Sequence, residues 1–249
     1  LADLKQHKRE SVLRSLGEKV IAEIASYSPS SVIISNPPCV IDVRPFQWGG
    51  YGVEIAYTYE IDLGRPLSEI WSGFSKDRRQ KIGRASRSGI EIVRGTDLSR
   101  LCTMLERRYR EQGLTNGILS QRYLERLAAA FPRNFSLYYA RHGDAISGAV
   151  LMIKYNDAKV WVGTPRSENH SNELLIWELL REAKAEGYPR FELVGANTRQ
   201  LCTFKSQFNP HLRPYLRVAR RNLRGRMAES LYHRLRRRGV HPGRPDGLR

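Results

Sequence analysis

The stretch from Phe135 to Val194 constrains the fold of this chain more than any other. Phe135 to Arg141 and Ala145 to Tyr155 are apolar-rich runs joined at His142-Gly143-Asp144, residues suited to a tight hairpin turn. Asn156-Asp157 makes a second turn into a third run, Lys159 to Gly163. A polar loop, Thr164 to Ser171, then feeds a helix from about Asn172 to Glu186. Gly187 stops that helix, and a last strand runs from Arg190 to Val194. Two amphipathic helices precede these elements. One carries Leu98, Leu101, Cys102, Leu105 and Tyr109; the other carries Tyr123, Leu124, Leu127 and Phe131, with Tyr123 expected in the core. Two helices, three meandering strands, a helix and a strand predict an α+β unit, a mixed sheet with flanking helices.

Upstream, the spacing of Leu13, Leu16, Val20 and Ile24 predicts a helix over 4–26. Ser31 to Ser35 reads as a short strand closed by Asn36-Pro37-Pro38, and Val53 to Leu63 as a longer one. A compact basic helix, Ser75 to Ser88, ends at Gly89, and Glu91 to Arg94 is a brief strand. Downstream, Leu223, Met227, Leu231 and Leu235 recur every fourth residue among many arginines, which predicts an amphipathic helix over 217–238. The remaining 239–249 is rich in Pro and Gly and is expected to be a disordered tail.

With 42 Lys+Arg against 25 Asp+Glu, the 249-residue chain has a formal charge of +17. Such a field attracts nucleic acid, nucleotide phosphates or an anionic membrane face. The apolar runs, such as Val32–Ile34 and Ala149–Ile153, are too short to span a bilayer, and the N-terminus lacks the apolar core of a signal peptide. Cys39, Cys102 and Cys202 are too few and too scattered for a disulfide framework or a zinc site, which points to a reducing, cytoplasmic setting. The six histidines have no metal-like spacing, and no G-x-S-x-G or Ser/His/Asp order appears, so hydrolytic and metal chemistry are not expected. Cys202 reads as an inert thiol with no matching histidine near it in sequence.

Four local features narrow the reading. Tyr57-Thr-Tyr-Glu-Ile-Asp-Leu63 is followed by Trp71 and Arg78-Arg-Gln-Lys-Ile-Gly-Arg-Ala85. Asn172-Glu-Leu-Leu-Ile-Trp-Glu178 lies on the long helix, and Phe191-Glu-Leu-Val-Gly195 on the last strand. Leu201-Cys-Thr-Phe-Lys-Ser-Gln-Phe-Asn209 comes next, with Tyr215 after it. Together they resemble the signatures of the Fem-type (FemABX-like) peptidyltransferases of the N-acetyltransferase (GNAT) superfamily, over about 58–215. Asn209 stands where that family usually has glycine, and asparagine tolerates the left-handed backbone.

The resemblance implies a GNAT-like fold with one full lobe and a partial second GNAT-like lobe. The catalytic lobe is expected over 85–208, and the smaller lobe over 1–84 joined by 209–238. It implies an enzyme, an acyltransferase that moves an aminoacyl group from aminoacyl-tRNA to an amine. In the family that amine belongs to the stem peptide of a nucleotide- or lipid-linked peptidoglycan precursor. No resident cofactor is implied, since the donor ester is already activated. Lys205 matches the family's "F-K" lysine and is the expected catalytic residue, stabilising the oxyanion, with Phe204 beside it. Arg78, Arg79, Lys81 and Arg84 are expected to contact acceptor-stem phosphate, with Trp177, Glu178 and Tyr215 as further substrate-binding residues. Asp62 and Glu178 are candidates to meet a substrate amine.

One loop bears on the donor. Acyl-CoA-dependent relatives hold pyrophosphate with a glycine-rich loop at a helix N-terminus, where backbone N–H groups close on the anion. Here Arg166-Ser-Glu-Asn-His-Ser171 has no glycine, and Glu168 adds negative charge. That favours aminoacyl-tRNA. An acyl-CoA-dependent N-acyltransferase remains one alternative and a non-catalytic RNA- or membrane-binding module the other. The expected place is the cytoplasm, with peripheral contact at an anionic membrane face left open through 217–238.

Overall fold

The computed structural model describes residues 4–111, 120–164, 169–223 and 227. In chain order the elements are α1 (Gln6–Ser26), β1 (Ser31–Ser35), α2 (Arg44–Trp48), β2 (Gly52–Asp62), α3 (Leu67–Gly73), α4 (Lys76–Arg87) and β3 (Glu91–Gly95). There follow α5 (Leu98–Glu111), α6 (Gln121–Ala130), β4 (Phe135–His142), β5 (Ala145–Lys154), β6 (Ala158–Gly163), α7 (Ser171–Ala185) and β7 (Arg190–Glu192). Last come α8 (Arg199–Lys205), a 3₁₀ turn (Ser206–Phe208) and β8 (His211–Arg221). The chain divides into two compact units, Leu1–Tyr57 with Arg213–Arg249, and Thr58–Leu212. Among the described residues no helix is long and apolar enough to cross a membrane.

The larger unit has the strand order β2-β7-β6-β5-β4-β3, antiparallel except for the parallel β6–β7 pair. Its two faces are read from alternation along β4. Tyr138 and Ala140 join one core with Ile82 and Ala85 of α4 and Leu175, Leu179 and Leu180 of α7. Leu137 and Tyr139 join another with Leu101 and Leu105 of α5 and Leu124 of α6. Successive strand residues point to opposite faces, so one strand feeds both layers. This is the mixed, helix-flanked α+β sheet that the sequence predicts.

The helix boundaries follow from caps. Ser75, Ser120 and Thr198 accept hydrogen bonds from Arg78, Tyr123 and Leu201 backbone N–H, starting α4, α6 and α8. Gly187, just past α7, sits at φ +84°, a conformation open to glycine.

In the smaller unit the order is β1-β8-β2, with β1 antiparallel to β8 in the register Ile33↔Ala219. Val43, Tyr51 and Val218 form its core, with Ile21, Val32, Ile34 and Phe46 packed against it. One expectation is corrected here. Arg217 to Arg221 belongs to β8, not to an amphipathic helix. Strand partners on both sides satisfy that backbone, and Arg217 pairs with Glu54 on β2. The rest of the expected helix over 217–238, apart from Asn222, Leu223 and Met227, lies outside the described residues, as does 239–249. Tyr123 is a second correction, because its ring is 46% exposed on α6 rather than buried.

Candidate functional site

The parallel pairing of β6 with β7 is confined to Ala158↔Phe191 and Lys159↔Glu192. Beyond it β6 bulges. Leu151 pairs with Val162 and Met152 with Val160, so Trp161 is the extra residue, and a bulge bends the strand that carries it. On the other side, β7 ends at Glu192, although Leu193 N–H still donates to the Tyr59 carbonyl at 2.8 Å. The sequence reading extended this strand to Val194. It stops short because Val194 and Gly195 adopt φ of +46° and +56°, turning the chain out of extended geometry. The two central strands therefore part at their C-terminal ends, and α7 begins after one of them.

Lys205 reaches this turn from the end of α8. Its Nζ donates to the Val194 carbonyl at 2.7 Å. A Cβ on Gly195 would lie 3.2 Å from Nζ, so a side chain at 195 would crowd the ammonium. Burial pushes the Lys205 ammonium down to about 8, partly offset by the nearby Cys202 and Glu192. An ammonium has three N–H donors, and the Val194 carbonyl takes one. Burial holds the Tyr59 hydroxyl above its ordinary range, and its hydrogen bond to Cys202 adds to the shift. Glu192 is buried, accepts from Thr58 Oγ1 at 2.8 Å and pairs with Lys159 at 2.8 Å. Of this group the sequence pointed to Lys205. Tyr59, Thr58, Lys159 and Glu192 were missed, because only strand register brings them to it.

The other expected site residues separate. Arg78 is not on a phosphate-binding face: it is 2% exposed and pairs with buried Glu173 at 2.7 Å. Its guanidinium packs against the rings of both Phe204 and Phe208, 4.4 and 4.8 Å from their centroids. Arg79 donates to the Ser72 and Phe74 carbonyls, and Lys81 pairs with Asp77 at 2.8 Å one turn away. Arg84 stays exposed with Lys76 and Arg87. Trp177 is half-buried and packs against Trp71 and Phe74 at 4.7 and 5.5 Å between centroids. Glu178 forms a fork with Arg181, and Asp62 is exposed and accepts from Gly64 N–H. Tyr215 is half-buried on β8, in the smaller unit.

At the start of α7, Ser171, Asn172 and Glu173 are buried, and His170 precedes them at φ +60°. Of the glycine-free loop 166–171, Arg166, Ser167 and Glu168 lie outside the described residues. Among the described residues no group of His, Cys, Asp or Glu is arranged to hold a metal ion.

Residues 73–206 match the model of a family described as an acetyltransferase (GNAT) domain. No curated protein matches the chain. Among solved structures, one titled FemX aligns over 89% of this chain and 80% of its own, at 11% identity and a TM-score of 0.62. The C-terminal domain of a putative lysylphosphatidylglycerol synthetase from Agrobacterium fabrum aligns over 93% and 80%, at 14% identity and a TM-score of 0.58. A conserved protein of unknown function from Bacteroides thetaiotaomicron aligns over 84% and 76%, at 12% identity and a TM-score of 0.55. At these identities the likeness is one of fold.

Proposed function

We propose, from the premise that this chain belongs to the acetyltransferase (GNAT) domain family and is an acyltransferase, that it moves an aminoacyl group from aminoacyl-tRNA to an amine. The acceptor is the amine of a nucleotide- or lipid-linked cell-wall precursor, in the manner of the Fem-type enzymes that its motifs resemble. In the reaction the amine nitrogen bonds to the ester carbonyl carbon and the bond to the ribose oxygen breaks. The nitrogen gives up a proton and the ribose oxygen takes one. The ester carries its own activation, so no resident cofactor is needed.

The observation that carries this reading is the Lys205 ammonium, held on the Val194 carbonyl where β6 and β7 part. Attack on an ester places negative charge on the carbonyl oxygen, and a fixed positive donor in a poorly solvated place lowers that barrier. Among the described residues the Val194 carbonyl takes one of the three Lys205 N–H donors, and two are left for such an oxygen. The net charge of +17 suits a polyanionic donor.

The test is a paired incubation of the protein with labelled aminoacyl-tRNAs and cell-wall precursors, and with acetyl-CoA and the same acceptors. Consumption of aminoacyl-tRNA alone supports the proposal. Consumption of acetyl-CoA alone, with saturable binding by calorimetry, replaces it with an acyl-CoA-dependent transferase.

A further inference from the structure

We propose that Arg78 is the positioning residue of the acyl-transfer site: it fixes the end of α8 so that Lys205 keeps its ammonium on the Val194 carbonyl. The proposal rests on the reading that Lys205 acts in transfer. It assigns an internal task to a residue whose sequence context suggests contact with phosphate.

Lys205 is the last residue of α8, a seven-residue helix whose terminal carbonyls have no partners within the helix. Arg78 supplies one partner. Its Nη2 donates to the Phe204 carbonyl at 3.2 Å and to Gln207 Oε1 at 3.1 Å, residues that bracket Lys205. The Gln207 amide in turn donates to the Thr203 carbonyl at 3.2 Å, and Ser75 N–H donates to the Gln207 carbonyl at 2.9 Å. The rings of Phe204 and Phe208, themselves in edge contact at 5.7 Å between centroids, both pack against the guanidinium. At its other end, Nη1 is anchored to Glu173 at 2.7 Å on α7. One side chain thus ties the start of α4 and the first turn of α7 to the segment carrying Lys205.

The chemistry requires arginine. A planar fork can lie against two adjoining rings while donating to three separate oxygens, which a lysine ammonium on its flexible stem does less well. Stability alone is a poor reason for this arrangement, because an apolar filling of a buried ion-pair site is often as stable. A fixed geometry is the better reason: small misplacement of a catalytic group costs on the order of 10²-fold in rate.

The test joins Arg78→Met with Glu173→Gln, so that no buried carboxylate is left unpaired, and follows two readouts. The first is steady-state transfer. The second is competitive labelling of Lys205 by acetic anhydride across pH, read by mass spectrometry, which needs no substrate. The expected result is a kcat loss on the order of 10²-fold with donor KM unchanged. Labelling of Lys205 should shift alkaline, from a midpoint near 8 toward the ordinary 10.5. Gln207→Leu, which leaves the ion pair intact, should move both readouts the same way by less, and it decides the matter should the double variant fail to fold. An unchanged labelling curve in the folded variants overturns the proposal. So does a raised donor KM with a reduced salt slope and unchanged kcat, which would make Arg78 a phosphate ligand. If labelling shifts while Lys205→Met transfers normally, the positioning role stands and the catalytic role of Lys205 falls.

Discussion

The Lys205 ammonium donates to the carbonyl of Val194, and Val194 holds a φ of +46° to present it. A β-branched residue in the left-handed region is uncommon and strained. Lys205 and the Val194–Gly195 turn are therefore mutually dependent: the turn aims a carbonyl inward, and the ammonium gives that carbonyl a charged partner. The strain lies at the point where β6 and β7 part.

Lys205→Met keeps the length and bulk of the side chain and removes the donor. Transfer is expected to fall by about 10²–10³ in kcat, or about 2.7–4 kcal/mol, the cost typical of one oxyanion donor. Donor affinity should be unchanged. A variant with near-native turnover would remove Lys205 from the mechanism.

The pH dependence of transfer follows from which form of Lys205 is needed. Only the ammonium can stabilise an oxyanion, and burial brings its loss down to about pH 8. The rate profile should therefore show a limb that declines as pH rises through about 8 and is absent in Lys205→Met. A limb that instead rises there would identify the neutral amine as a base.

The same group makes stability depend on pH, with a fixed sign. Between about 8 and 10.5 the unfolded chain retains a proton that the folded chain has lost, so the Lys205 contribution to stability increases with pH across that window. Below it, the buried ammonium opposes folding. The melting temperature of Lys205→Met relative to wild type should thus be higher at pH 7 than at pH 10. Calorimetric melts at both values check this, and an equal difference would contradict it.

Arg78→Ala alone leaves Glu173 buried without its guanidinium. A loss of about 3–5 kcal/mol is expected in urea melts, since removing one partner of a buried pair exposes the cost of the other. Arg78→Met with Glu173→Gln should recover most of that loss. Equal losses in the two variants would mean that packing against Phe204 and Phe208, rather than charge, dominates.

Phosphate binding, if α4 provides it, falls to the exposed cations. Replacing Lys76, Arg84 and Arg87 with Ala should lower the log–log salt slope of tRNA binding by about 0.7–0.9 for each phosphate no longer neutralised. Lys81 should matter less, because Asp77 already pairs with it. An unchanged slope would make this face of α4 solvated surface only.

Much of the larger unit was legible in the sequence because its signals are local. Apolar runs joined by turn residues marked β4 to β6, Gly143 and Gly187 marked a turn and a stop, and Ser75 marked the start of α4. β8 was not legible. Its residues follow no helical or strand pattern strong enough to outweigh the leucine stripe after it, and only β1 and β2 on either side make it a strand. The short helices α2, α3 and α8 were missed for a similar reason, being too brief to show a period.

For the site, the sequence by itself determined which residue types were available: a lysine after Phe204, a glycine after Val194, and arginines along α4. Tertiary structure decided their tasks. Arg78, Arg79, Lys81 and Arg84 look equivalent in a basic helix, yet helical spacing turns each to a different neighbour. Arg78 meets Glu173 and the Phe204–Phe208 rings, Arg79 meets backbone carbonyls, Lys81 meets Asp77, and Arg84 meets solvent. Charge and composition are properties of the chain, but burial, which sets what a charge can do, is a property of the packed elements around it.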